Sequence, residues 1–150
     1  MTIGIDTSFL VCLETKGHPF EAGCRELFTQ LTGGKEPFAL QPAVLSEFVH
    51  TVTDARRLVS PLSVADALDR ACDWCNAIGV RQLFPDQEST ELFMAWMQQH
   101  RLGRKRLNDT LLAATYFTAG VTRIVTLNGK DFRVFDCFEI IEPPPAASPV

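Results

Sequence analysis

A parallel α/β sheet in three layers, with helices on both faces, is the fold class this sequence predicts, and three observations predict it. Short β-branched or apolar runs at residues 3–5, 38–40, 80–84, 122–126 and 138–141 alternate with longer segments whose apolar residues recur at helical spacing. Strands separated in this way by helices form βαβ units, which build a central parallel sheet flanked by helices. The length of 150 residues and the 46% hydrophobic content suit one domain with a real core.

In chain order, Ile3, Gly4 and Ile5 predict a first strand that stops at Asp6, and Thr7 and Ser8 suit the cap of a helix over FLVCLE. His18-Pro19 marks a loop. A covering helix is expected over residues 20–31, where Phe20, Cys24, Leu27, Phe28 and Leu31 fall on one face before Gly33-Gly34 ends it. Residues 38–40 predict the second strand, and Pro42 suits the first turn of a helix carrying Val44, Leu45, Phe48, Val49 and Val52. After a loop at residues 56–61, VADALDRACDWCNAIG predicts a long amphipathic helix closed by Gly79. Residues 80–84 predict the third strand and Pro85-Asp86 a turn. Residues 88–100 then predict a helix with Leu92, Phe93, Trp96 and Met97 turned inward. Asp109 is expected to open a further helix, through LLAATYFTAG to a C-cap at Gly120. A buried strand at residues 122–126, the turn Asn128-Gly129 with Asp131 behind it, and a last strand at residues 138–141 complete the domain, residues 1–142. The ending PPPAASPV, residues 143–150, is read as a Pro-rich disordered tail outside the fold.

Composition excludes several function classes. No apolar run approaches the roughly 20 residues of a membrane span, and no basic leader precedes an apolar block, so a soluble, cytoplasmic protein with no membrane partner is expected. The cysteines at positions 12, 24, 72, 75 and 137 form an odd, scattered set, which predicts reduced core thiols instead of a disulfide framework. Cys72 and Cys75 have CxxC spacing but sit late in a helix with no second pair at zinc-site spacing, so they too are read as buried thiols. His18, His50 and His100 are isolated from one another and from any nucleophile. The absence of a Gly-rich phosphate loop and of a Ser-His-Asp order argues against nucleotide-binding and acyl-transfer enzymes. A net charge of −4 works against non-specific nucleic-acid affinity, yet Arg101, Arg104, Lys105 and Arg106 crowd together just before Asp109. On its residues alone that run reads equally as a solvated loop.

Four acids carry the candidate chemistry. Asp6 and Asp131 follow strands, Asp109 stands at a helix start, and Glu47 lies on the helix begun by Pro42. Taken singly, Asp6 reads more readily as a helix cap, and Glu47 reads as well as the edge of an apolar stripe. Taken together, they face the edge of an open α/β sheet where ligands bind, with no balancing cation in the chain. Like charges at close range raise one another's pKa, so such a group stays ionised when a cation occupies it. Oxygen-only ligation points to magnesium or manganese, which keeps waters and uses its remaining positions for phosphate oxygens. An ion so held lowers the pKa of a bound water and neutralises the leaving oxygen of a phosphodiester, which makes hydrolysis of nucleic acid the expected reaction.

The stretches IGIDTSFL, LSEF around Glu47, LNDTLLAATYFTAG around Asp109 and IVTLNGKDF ending beside Asp131 resemble, in order and spacing, the four acidic motifs of PIN-domain ribonucleases. The nearest resemblance is to toxins of the VapC type in type II toxin–antitoxin systems, and it spans nearly the whole chain, from Ile3 to about Glu142. It implies a PIN fold, a magnesium- or manganese-dependent endoribonuclease, an RNA substrate, a cognate antitoxin and a homodimer. Asp6, Glu47, Asp109 and Asp131 match the catalytic acids, with Asp6, Asp109 and Asp131 as metal ligands. Thr7, Ser8, Thr126 and Asn128 match the supporting polar positions, Asn128 standing where some relatives have another acid. Arg101, Arg104, Lys105 and Arg106 are the expected RNA contacts, with Arg56 and Arg57 next in line. Two alternatives remain at this stage. One is a PIN nuclease of RNA processing or decay without an antitoxin, which the lack of a small upstream reading frame would favour. The other is an inactive RNA- or protein-binding module, which the presence of all four acids disfavours.

Overall fold

A computed structural model describes residues 1–145 of the chain. Five strands, β1 (Ile3–Ile5), β2 (Phe38–Leu40), β3 (Val80–Gln82), β4 (Arg123–Val125) and β5 (Glu139–Ile141), form one parallel sheet in the order β3-β2-β1-β4-β5. Between them run α1 (Thr7–Glu14), α2 (Glu21–Gly33), α3 (Pro42–Val52), α4 (Val64–Asn76), α5 (Gln87–Gln99), α6 (Leu107–Thr118) and the single-turn α7 (Lys130–Arg133). The predicted α/β class and central parallel sheet are therefore present.

The strand order explains the layering. From β1 the chain steps to β2 and then β3 in one direction, then returns across the sheet to β4 and β5 in the other. Right-handed crossovers place the helices of the first two steps on one face and those of the later steps on the opposite face. The packing agrees: α1 lies against α2 and α3, and α3 against α4, while α6 lies against α5 and α7. The reversal falls between β1 and β4, so their carboxyl ends define the crevice where an open α/β sheet binds ligands.

Each strand has only three residues, and β1, β2 and most of β4 are buried, so their apolar runs read correctly as core. The third strand stops at Gln82, short of the expected Phe84, which is exposed, because β3 lies at the sheet edge with a partner on one side. Gly120 has φ 80°, the left-handed conformation a helix end needs, just after α6 as its place in the sequence predicts. Two elements were not expected: the 3-10 turn Arg104–Arg106 and the short helix α7. The turn brings α6 in at Leu107, so Asp109 sits in its first turn instead of opening it.

Two other expectations need correction. Cys72 and Cys75 are exposed, because α4 turns Ala67 and Ala71 to the core and leaves the CxxC pair on its outer side; Cys12 and Cys24 are the buried thiols. The Pro-rich ending begins inside the fold: Pro143 is buried, and Pro144 lies so close to Gly23 that a Cβ there would meet its carbonyl oxygen at 3.0 Å. The remainder of the expected tail, residues 146–150, lies outside the described residues.

β1 is held from the α6 side by Tyr116. This fully buried ring covers Gly4, and its hydroxyl lies 2.7 Å from the Ile5 carbonyl and 3.1 Å from that of Ala39, so one phenol bridges two neighbouring strands. A Cβ on Gly4 would stand 2.6 Å from two ring carbons. Gly4→Ala is therefore expected to destabilise the fold by about 1–3 kcal/mol, the usual cost of overpacking a core, read from the urea midpoint. An unchanged midpoint would mean that Tyr116 yields without cost.

Candidate active site

Asp6 follows β1 directly and is 5% exposed. It stands at the N-cap position of α1, yet its side chain makes no capping hydrogen bond. Its Oδ2 instead accepts from the Ser8 and Thr126 hydroxyls, each at 2.7 Å. Those hydroxyl oxygens in turn accept main-chain amides: Leu127 donates to Ser8 and Asn128 to Thr126, each at 2.9 Å. The expected capping role of Thr7 and Ser8 is thus replaced by one inside the site, since Thr7 donates its hydroxyl to Glu47 Oε2 at 3.0 Å. β1 and β4 are neighbours, so Asp6 and Thr126 meet because the strands end side by side.

Asp109 and Asp131 complete the group. Asp109 projects from the first turn of α6, and Asp131 from the first turn of α7, whose approach to β5 is secured when the Gly129 amide donates to Glu142 Oε1 at 2.9 Å. Asp6, Glu47, Asp109 and Asp131 line one open cleft of about 370 Å³, with Asn128 at its wall and Thr126 buried below. The four predicted acids and their polar neighbours are thus brought together. Glu47 and Asp109 also face a second hollow of about 360 Å³ between α3 and α6, bordered by His50 and Asn108.

The basic run divides. None of the four lines either hollow; Arg101, Arg104 and Lys105 are exposed, whereas Arg106 is half-buried with its guanidinium against two of the acids. Its Nε lies 3.8 Å from Asp109 Oδ2, its Nη1 lies 3.7 Å from Asp131 Oδ1, and its Nη2 donates to the Asp131 carbonyl. This corrects the expectation that the cluster has no balancing cation in the chain. The i, i+3 spacing of Arg106 and Asp109 on a helix start was the available signal. Sequence reasoning also missed Glu142 as the anchor of α7. Arg57, named only as a reserve RNA contact, lines the acid cleft, where it lies 3.6 Å from Asp54.

The electrostatics are those of a site short of positive charge. Burial pushes the Asp6 carboxyl above its ordinary range, against the hydrogen bonds from the Ser8 and Thr126 hydroxyls, which pull it down. Asp109 is pushed up to about 6 by burial and by the charges of Asp6, Asp131 and Glu47, with Arg106 acting in the opposite direction. Among the described residues no three acid, imidazole or thiol groups enclose a point as a ready-made cage. Magnesium does not require one, since it binds through one or two carboxylates and keeps waters in its other positions. The donor set fits such an ion: carboxylate oxygens throughout, with both hydroxyl hydrogen bonds to Asp6 falling on Oδ2 and leaving Oδ1 clear of them.

Two outcomes follow. Between its ordinary value of 3.8 and about 6, Asp109 holds a proton in the folded chain that the unfolded chain has lost. Its contribution therefore favours the fold below that window and declines as pH rises through it. In chelator, the stability difference between wild type and Asp109→Asn should shift against wild type from pH 4 to 6.5 and then level off; a difference constant with pH would refute the raised carboxyl. Thr126→Val keeps the shape but removes a hydrogen bond to a buried carboxylate, and is expected to cost about 1.5–3 kcal/mol by chemical denaturation. No loss would show that Asp6 does not depend on that hydroxyl.

The chain matches no family model and no curated protein. Among solved structures it is similar to VapC20 of Mycobacterium tuberculosis, described as a sarcin-ricin loop cleaving toxin, at TM-score 0.66 and 18% identity over 86% of this chain and 92% of that one. It is also similar to VapBC2 of Rickettsia felis, determined bound to a DNA fragment from their promoter, at TM-score 0.68 and 16% identity over 96% and 100% of the two chains. A third likeness is to VapBC-1 of nontypeable Haemophilus influenzae, at TM-score 0.65 and 14% identity over 95% and 98%. The protein has the PIN-like fold of the VapC-type toxins, an α/β fold with a five-stranded parallel sheet.

Proposed function

We propose that this protein is a magnesium- or manganese-dependent endoribonuclease, the toxin of a toxin–antitoxin pair. The observation that carries the reading is the convergence of four carboxylates, from four separate stretches of chain, on one cleft at the switch point of the sheet. Like-charged groups so placed, with burial raising two of them, favour an added cation over mutual contact. Asp6, Asp109 and Asp131 would hold it, and Asn128 would supply a neutral oxygen at the cleft wall. When bound, the ion supplies a water of lowered pKa and neutralises charge on the phosphodiester. Glu47, exposed at the mouth and oriented by Thr7, would serve as the general base toward the attacking water.

RNA approaches an acidic cleft only where positive charge offsets the repulsion of its backbone. Arg57 at the cleft, with the exposed Arg101, Arg104 and Lys105 before α6, forms the proposed phosphate path. The antitoxin and the toxin role rest on the shared fold with VapC20 and the two VapBC structures. Among the described residues no helix is long and apolar enough to cross a membrane. The toxin role is tested in cells: expression of this chain alone should arrest growth, and co-expression of a small neighbouring reading frame should relieve it. Growth without arrest, from a protein that cuts RNA in vitro, would favour a processing nuclease.

Purified protein incubated with total RNA should generate new ends only with magnesium or manganese, and Asp6→Asn or Asp109→Asn should abolish them while the circular dichroism spectrum is kept. Full cleavage by either variant would sink the assignment. Manganese should raise the melting temperature, since an ion bound to the native state alone adds about 2.7 kcal/mol at a hundredfold excess over Kd. Neutralising Arg104 and Lys105 together should flatten the salt dependence of RNA binding, by about 0.7 in log–log slope for each lost single-strand contact.

A further inference from the structure

Resting on that reading of the acid cleft, we propose that Arg106 is a built-in competitor of the divalent ion. Its guanidinium lies 3.8 and 3.7 Å from the carboxylates of Asp109 and Asp131, two of the three proposed ligands, and competes with the ion for them. Among the described residues, no other basic group lies within ion-pair distance of Asp6, Glu47, Asp109 or Asp131.

The geometry is that of a held charge without a closed lock. A structural arginine on a carboxylate forms two short, parallel hydrogen bonds, at about 2.7–2.9 Å. Here the approaches to the two carboxylates are 3.8 and 3.7 Å, too long for hydrogen bonds, and the short contact is to the Asp131 main-chain carbonyl. Nε is buried and has no hydrogen-bond acceptor at all. Leaving therefore costs this guanidinium one hydrogen bond, the one to the Asp131 carbonyl, and frees a buried donor that has no partner where it is.

The backbone at Arg106 is fixed independently of its side chain. The residue ends a 3-10 turn, its amide donating to the Gly103 carbonyl at 2.9 Å, and its own carbonyl accepts the hydroxyl of the buried Thr110 at 2.6 Å. The side chain can therefore swing out while α6, and with it Asp109, stays in place. This one charge relieves part of the repulsion among the acids, and the same charge raises the threshold for ion binding. A site open to the ion only for the fraction of time the guanidinium is out has its apparent affinity lowered by that fraction.

The test compares wild type with Arg106→Gln by calorimetric titration of manganese, and by thermal melts in chelator and in saturating manganese, with Asp109→Asn as the control for the site. Arg106→Gln is expected to bind manganese about tenfold more tightly, equivalent to ~1.4 kcal/mol. It should also melt below wild type in chelator and lose that deficit when manganese is saturating. Equal or weaker manganese binding by Arg106→Gln, or a melting deficit that is the same in both conditions, would overturn the inference while leaving the acid cleft intact as an ion site. A variant that fails to fold with or without manganese would assign Arg106 a structural role and overturn it too. If neither wild type nor Arg106→Gln binds manganese, the reading of the cleft fails and this inference with it.

Discussion

A single buried carboxylate sets the geometry on which the rest of the candidate site depends. Asp6 lies at the carboxyl end of the central strand, almost out of solvent, and burial pushes its carboxyl above the ordinary range. The Ser8 and Thr126 hydroxyls oppose that by donating to one of its oxygens, and they do so because the Leu127 and Asn128 amides are aimed at the hydroxyl oxygens from behind. The end of β4 and the start of α1 are thereby joined through one charge. Tyr116 completes the support from below, since its ring fills the space that a glycine leaves on β1 and its hydroxyl meets the carbonyl just before Asp6. A buried polar network of this kind is stabilising only while all its members are satisfied, so core and site are coupled.

The residues that follow strands were legible because position and chemistry coincide there. Asp6 comes after Ile5, and Thr126 after Val125, at the point where a β-branched run gives way to hydroxyls and acids. Helical spacing placed Glu47 and Asp109 on helices, and proximity in the fold followed from the topology. What spacing does not encode is where a long side chain lies. Arg106 read as one of four surface cations, yet the 3-10 turn rotates it away from its neighbours and onto two carboxylates. The CxxC pair failed for a related reason: α4 buries two alanines, and a narrow stripe leaves residues only a few positions away in solvent. Composition assigns Pro143 and Pro144 to a tail, whereas Pro143 is buried and Pro144 packs beside α2 at Gly23, where the chain leaving β5 delivers it.

Fold and chemistry carry different weights in this account. Structures sharing 14–18% of residues with this chain match it over nearly its whole length, which establishes the architecture. An architecture hosts many activities, and activity has to be argued from the residues at its crevice. Here those residues are hard oxygen donors in excess of nearby positive charge, at the one place where the sheet topology opens a ligand crevice. Within ion-pair distance Arg106 supplies a single charge against four acids, and that imbalance is the ground on which a divalent cation is proposed there.

The most direct measurement is anomalous diffraction from crystals of the wild-type protein soaked in manganese, collected alongside crystals kept in chelator. The account predicts a manganese peak in the cleft, within ligand distance of Asp6, Asp109 or Asp131 and with Arg106 moved from between the last two. A fully diffracting crystal with no peak in the cleft at millimolar manganese, or with manganese bound only at other surface acids, would contradict it.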